Sequence, residues 1–146
     1  MIQGLGDMGF SLALSAVGSG LGAGIAGMAA IGAWKKVFMQ NKAAPFMVLI
    51  FVGAPLTQTL YGMIVRNSIL DAKLPPESYP FQMALGAAAG LAIGVSAWMQ
   101  GAAAAKASDA LVESGKGFAQ YMMVLGIIET VALFVLAFVK MALPKI

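Results

Sequence analysis

Four long apolar runs, at roughly 8–34, 44–70, 80–105 and 117–141, alternate with short polar connections along the chain. Each run reaches or exceeds the ~20 residues that a bilayer-spanning helix requires. The pattern therefore predicts an all-α membrane protein of four transmembrane helices. The connections, 35–43, 71–79 (with Pro75 and Pro76) and 106–116, are too short to hold a soluble domain. No basic residue precedes the first run, Lys35 being the first in the chain, and the run is too long for the apolar part of a signal peptide, so the protein is expected to begin near Met1.

Two helices are expected to outrun the membrane. The stretch from Gly101 to Glu113 is rich in strong helix formers and unbroken until Gly115, which would carry the third helix into water. The first helix is expected to continue through Trp34 to Met39, before the break at 41–45.

Sliding the chain against itself reveals a repeat at an offset of 71 residues. Phe10, Ala13, Leu14, Ala16, Ala26, Met28, Ala33, Lys35 and Thr59 fall on Phe81, Ala84, Leu85, Ala87, Ala97, Met99, Ala104, Lys106 and Thr130. The matching Phe at both starts and Lys at both ends read as two tandem duplicated helical hairpins, 1–73 and 74–146. In this alignment Gln58 falls on Glu129.

Glu129 sits in the middle of the fourth run, where an ionised carboxylate costs at least ~2.5–3.5 kcal/mol and so must be protonated, paired or bound to a cation. No Lys or Arg lies mid-run to pair with it; Arg66 is close enough to a helix end to snorkel. With turns near Ala44 and Gly115, Gln58 and Glu129 each lie fourteen residues past a turn and Gln100 fifteen before the second, so antiparallel packing brings all three to one depth. Thr57 adjoins Gln58, and Tyr61 lies one helical turn further on. Pro55 has no N–H for the Phe51 carbonyl and loosens the local ladder, freeing backbone oxygens. A hard monovalent cation wants oxygen ligands, and one carboxylate among neutral oxygens gives a filled site with no net charge. A proton needs only the carboxylate, so the extra oxygens favour Na⁺ over H⁺. For Gln58, Thr57 and Gln100 taken singly, an interhelical hydrogen bond is the plainer role.

Composition narrows the field. The chain of 146 residues is 60% hydrophobic and 10% charged, with no Cys or His, which removes disulfides and any catalysis or metal site built on those residues. The net charge of +3 comes from basic side chains scattered mostly at run ends, which suits a membrane interface and not a nucleic-acid groove. Glycines crowd the first and third runs while bulky apolar residues fill the second and fourth, so close-packed inner and lipid-facing outer helices are expected. Gly22, Gly24 and Gly27 have dinucleotide-fingerprint spacing but lie inside an apolar helix, and Ala33 stands where a Walker A Lys would follow Gly32. Lys35, Lys36, Lys42, Lys106 and Lys116 oppose Arg66, Lys73, Lys140 and Lys145 across the membrane, too even a division to set orientation.

Taken together, the segment Pro55–Gly62, Met99-Gln100-Gly101 with Lys106 after it, and Ile128-Glu129-Thr130 resemble the proteolipid (K/c) subunit of prokaryotic V/A-type rotary ATPases, sodium-transporting type, over essentially the whole chain. The resemblance implies a ring of identical subunits in the cell (inner) membrane, turning against an Arg-bearing stator and bearing on central-stalk subunits, with ATP hydrolysed elsewhere and no organic cofactor. It implies that Na⁺ is held by Glu129, Gln58, Thr57, Gln100 and the backbone carbonyl of Ala54, with Tyr61 bonded to the carboxylate and locking the site. It places the first and third connections in the cytoplasm and both termini outside. Ala54 stands where relatives carry a larger apolar residue, and Leu56 where they carry Gly. Two other classes fit less well: a small channel or secondary transporter with no motor, and a membrane enzyme, which would want clustered acids, His or Cys.

Overall fold

The computed structural model describes residues 6–144; Lys145 of the charge comparison and the expected start near Met1 lie outside the described residues. Four helical spans are long and apolar enough to cross a membrane, and the chain is a multi-pass membrane protein. The spans are α1 (Phe10–Met39), a second broken into α2 (Val48–Gly53) and α3 (Thr57–Asp71), α4 (Tyr79–Ser114) and α5 (Phe118–Ala142).

Helix α1 starts after Met8 and Gly9, both at positive φ. Oδ1 of Asp7 accepts from the Gly9 amide at 3.0 Å and Oδ2 from the Ser11 amide at 2.8 Å. The carboxylate thus satisfies amides that the first helical turn would leave unpaired, and it lies at the positive end of the helix dipole. At its other end α1 runs to Met39, as its sequence suggests.

The second span departs from the reading of one helix from 44. Its first helix begins at Val48, because Pro45 disfavours helical backbone at Ala44; the Pro45 carbonyl then accepts from both the Val48 amide at 3.4 Å and Trp34 Nε1 at 3.2 Å. A single 3₁₀ turn, Ala54–Leu56, then separates α2 from α3, centred on the residue that cannot donate a backbone bond.

Helix α4 has 36 residues, roughly 54 Å of helix against a hydrocarbon core of about 30 Å, so its C-terminal end stands beyond the membrane. It stops where Gly115 takes a positive φ of 66° and its amide bonds back to the Leu111 carbonyl at 2.8 Å. Lys36, at the extended end of α1, bridges to Asp109 at 3.4 Å and Glu113 at 3.0 Å on α4.

Helices α1 and α4 form the most intimate pair. A Cβ built on Gly18 would overlap the Gly94 carbonyl, and one on Gly101 would overlap the backbone of Gly22. Only glycine allows this approach, which is how helices associate where lipid removes the hydrophobic drive between them. Around the pair lie two apolar clusters. One gathers Val48, Phe51, Ala104 and Leu125; the other Val65, Ile69, Ile93 and Ala132. In chain order, a polar layer falls between them on α3, α4 and α5.

Candidate cation site

Three spans supply that polar layer. The 3₁₀ turn and the start of α3 bring Ala54, Thr57, Gln58 and Tyr61; α4 brings Gln100; α5 brings Glu129. Gln58 and Gln100 are completely buried, while Thr57, Tyr61 and Glu129 are half-buried.

The carboxylate receives three donors. Tyr61 Oη donates to Oε1 of Glu129 at 2.6 Å, Thr57 Oγ1 approaches the same oxygen at 2.7 Å, and Gln100 Nε2 donates to Oε2 at 3.3 Å. Gln58 Nε2 donates to Gln100 Oε1 at 2.7 Å, so the chain of amides runs from α3 across α4 to α5. The equal-depth arithmetic places these three side chains in one layer, and the structure joins them by direct contacts.

Thr57 is the centre of the arrangement. Its hydroxyl oxygen lies 2.7 Å from Glu129 Oε1, 3.1 Å from the Ala54 carbonyl and 3.2 Å from Gln58 Oε1. A hydroxyl has one proton and can satisfy one of these acceptors at a time. The remaining approaches set oxygen lone pairs against each other with no hydrogen between them. Lone pairs converging in this way, beside a carboxylate, suit a small hard cation. The Ala54 carbonyl, at the start of the 3₁₀ turn, is reached by the Thr57 hydroxyl three residues on, as helical Thr commonly does.

Gln100 has a different aspect from the other five oxygen-bearing residues. Its oxygen faces the Gln58 amide, and its nitrogen bonds both Glu129 and the Leu125 carbonyl, the latter at 3.0 Å. A carbonyl oxygen has a second lone pair, so accepting from Gln58 does not prevent it from also facing a cation. Among the described residues no three His, Cys, Asp or Glu side chains come together as a metal cluster, and the carboxylate of the layer is that of Glu129.

Two features, one beside the site and one at the far start of α1, lie beyond what the sequence analysis singled out. Ser96 Oγ on α4 donates to the backbone carbonyl of Ile128 at 2.8 Å, beside Glu129. Its position four residues before Gln100, on the same face of α4, was the available signal. The second is the buried Asp7 at the start of α1, for which an acid just ahead of an apolar run is a helix-start signature.

Comparison with known proteins is consistent with this geometry. Residues 83–141, which contain Gln100 and Glu129, match the family of ATP synthase C subunits. The A-type ATP synthase subunit K of Methanocaldococcus jannaschii is 33% identical over 134 residues. That alignment covers 92% of this chain, which spans only 58% of the length of the curated relative. The likeness to known proteins is thus to ATP synthase C subunits over residues 83–141 and to an A-type ATP synthase subunit K over most of the chain.

Proposed function

We propose that this chain is the non-catalytic, ion-carrying rotor subunit of a V/A-type ATPase, binding one Na⁺ at Glu129 and coupling rotation to Na⁺ translocation. In this reading it consists of two duplicated hairpins, 1–73 and 74–146, and assembles as a ring in the cell membrane. Its partners are an Arg-bearing stator and the central stalk, and ATP is hydrolysed on other subunits. Thr57, Gln58, Gln100 and the Ala54 carbonyl complete the ligand set, and Tyr61 holds the loaded carboxylate inward. The observation that carries the proposal is the Thr57 hydroxyl, one proton facing three acceptors, which a bound cation would resolve.

The coupling follows from charge. A site holding Glu129 and one monovalent cation is neutral and can face lipid. An empty, ionised site costs at least ~2.5–3.5 kcal/mol at that depth, so it unloads only beside a compensating positive charge. Rotation past the stator is thereby tied to loading on one side and release on the other.

The test is carbodiimide labelling of Glu129 at fixed pH while Na⁺ is titrated, with Glu129→Gln as the unreactive control. Slower labelling as Na⁺ rises supports the sodium site. A rate that answers only to pH makes Gln58 and Gln100 structural and the carried ion a proton.

A further inference from the structure

Helix α4 holds α5 at two points in the turn that leads into Glu129. Ser96 Oγ donates to the Ile128 carbonyl at 2.8 Å, and Gln100 Nε2 donates to the Leu125 carbonyl at 3.0 Å. The donors are one turn apart on α4 and the acceptors nearly one turn apart on α5. Inside a helix these carbonyls already serve the amides four residues on, so each side-chain donor uses the second lone pair. That second lone pair is reached only at one rotation of α5 about its own axis.

Rotation of α5 is what decides where the carboxylate points. Glu129 is half-buried, whereas Ile127 and Val131, two positions to either side, are 71% and 54% exposed. A fraction of a turn therefore carries the Glu129 side chain from the oxygen cluster to the apolar exterior. Gln100 resists this with bonds to both backbone and carboxylate, but it also belongs to the proposed ligand set. Ser96 instead directs its hydroxyl to the α5 backbone, outside that cluster.

We infer that Ser96 is a positioning residue of the ion site: its bond to the Ile128 carbonyl fixes the rotation of α5 and so keeps Glu129 turned inward. The inference rests on Glu129 being the ion carrier. Loss of the bond shifts the balance between inward and outward carboxylate without altering any ligand.

The experiment compares wild type, Ser96→Ala and Ser96→Thr, each as the full chain in lipid vesicles, by the pH profile of carbodiimide labelling at Glu129 without Na⁺ and then with Na⁺ titrated. Loss of a hydrogen bond of ordinary net worth is expected to speed sodium-free labelling of Ser96→Ala on the order of three- to tenfold across the profile, with Ser96→Thr restoring the wild-type rate. A wild-type rate in Ser96→Ala, or a Thr variant that behaves like Ala, overturns the inference. Failure of Na⁺ to protect wild type sinks the sodium reading alone, because the sodium-free comparison still decides the role of Ser96. If Ser96→Ala does not fold, Ser96→Cys, a weaker donor, takes its place. Isotope-edited infrared of the Ile128 carbonyl then reads the bond itself: its amide band must rise in frequency in Ser96→Cys, and an unmoved band rejects the pin.

Discussion

The hydroxyl of Tyr61 on α3 stands 2.6 Å from Oε1 of Glu129 on α5, and the same oxygen is approached by Thr57 at 2.7 Å. One carboxylate oxygen thus takes two hydroxyl contacts from a single face of α3, separated by one helical turn. The two differ in what else they touch: Thr57 also adjoins the Ala54 carbonyl and the Gln58 oxygen, while Tyr61 meets the cluster at Glu129 and at Thr57 itself.

Tyr61→Phe separates holding the carboxylate from binding the ion. It removes one donor and leaves the ring that packs against Val65 and its neighbours. The variant should still be protected by Na⁺, at a concentration raised by about fivefold, the effect of losing roughly 1 kcal/mol of hydrogen bonding. Sodium titration of the labelling rate checks this. An unchanged midpoint would show that Tyr61 does nothing for the loaded state.

Gln58→Leu strips an oxygen from the cluster and leaves the buried Gln100 oxygen without its 2.7 Å donor. A buried acceptor left unpaired costs about 1–3 kcal/mol, so the thermal midpoint should fall and sodium protection weaken together. Adding Gln100→Leu removes the orphaned oxygen but also takes the amide donor from Glu129 Oε2 and the Leu125 carbonyl, so the double variant should recover only part of the stability and none of the protection. Thermal unfolding in detergent alongside sodium titration distinguishes the two. Recovery of both in the double variant would mean that neither glutamine serves the ion.

How much of this was legible in the sequence depends on which contacts are set by distance along a helix. Depth in a short-looped helical hairpin is countable, so Gln58, Gln100 and Glu129 could be assigned to one layer from their spacing. The extension of α4 to Ser114 followed from its Ala-rich composition and the Gly115 stop. Rotation about a helix axis is not countable in the same way. The Ser96 bond to Ile128 depends on which face α4 turns to α5, and the orientation of the Gln100 oxygen toward Gln58 depends on competition among donors. The late start of α2 is local in origin, since Pro45 keeps Ala44 out of helical backbone.

The glycines of α1 offer an internal control on packing. Gly18→Ala puts a methyl into the Gly94 carbonyl, which as backbone cannot swing aside, whereas a Cβ at Gly20 meets nothing within 4 Å. Gly18→Ala should destabilise by about 1–3 kcal/mol or more through forced separation of α1 and α4. Gly20→Ala in the same isolated chain should be neutral or stabilising by about 0.5–1 kcal/mol, through helix propensity alone. Thermal midpoints of the two variants, measured side by side, check the contrast; equal losses would mean that Gly20 faces a partner that the single chain does not include.

Pro55→Ala sets stability against function in one substitution. Pro55 is buried, and its ring carbon lies near Gly22, so alanine keeps the Cβ contact while adding the missing N–H. The new donor can bond the Phe51 carbonyl, and the second span can then run as one continuous α-helix. Proline inside a helix is disfavoured by ~3 kcal/mol, partly relieved here by the 3₁₀ turn, so the variant should melt higher. Regular helix geometry also draws the Ala54 carbonyl into the axial ladder and away from the Thr57 hydroxyl, which it now meets at 3.1 Å. Sodium should therefore protect Glu129 less well in the more stable protein. A variant that gains stability and keeps full protection would remove the Ala54 carbonyl from the ligand set; one that loses both would show that the 3₁₀ turn is required by packing against α1, not by the ion.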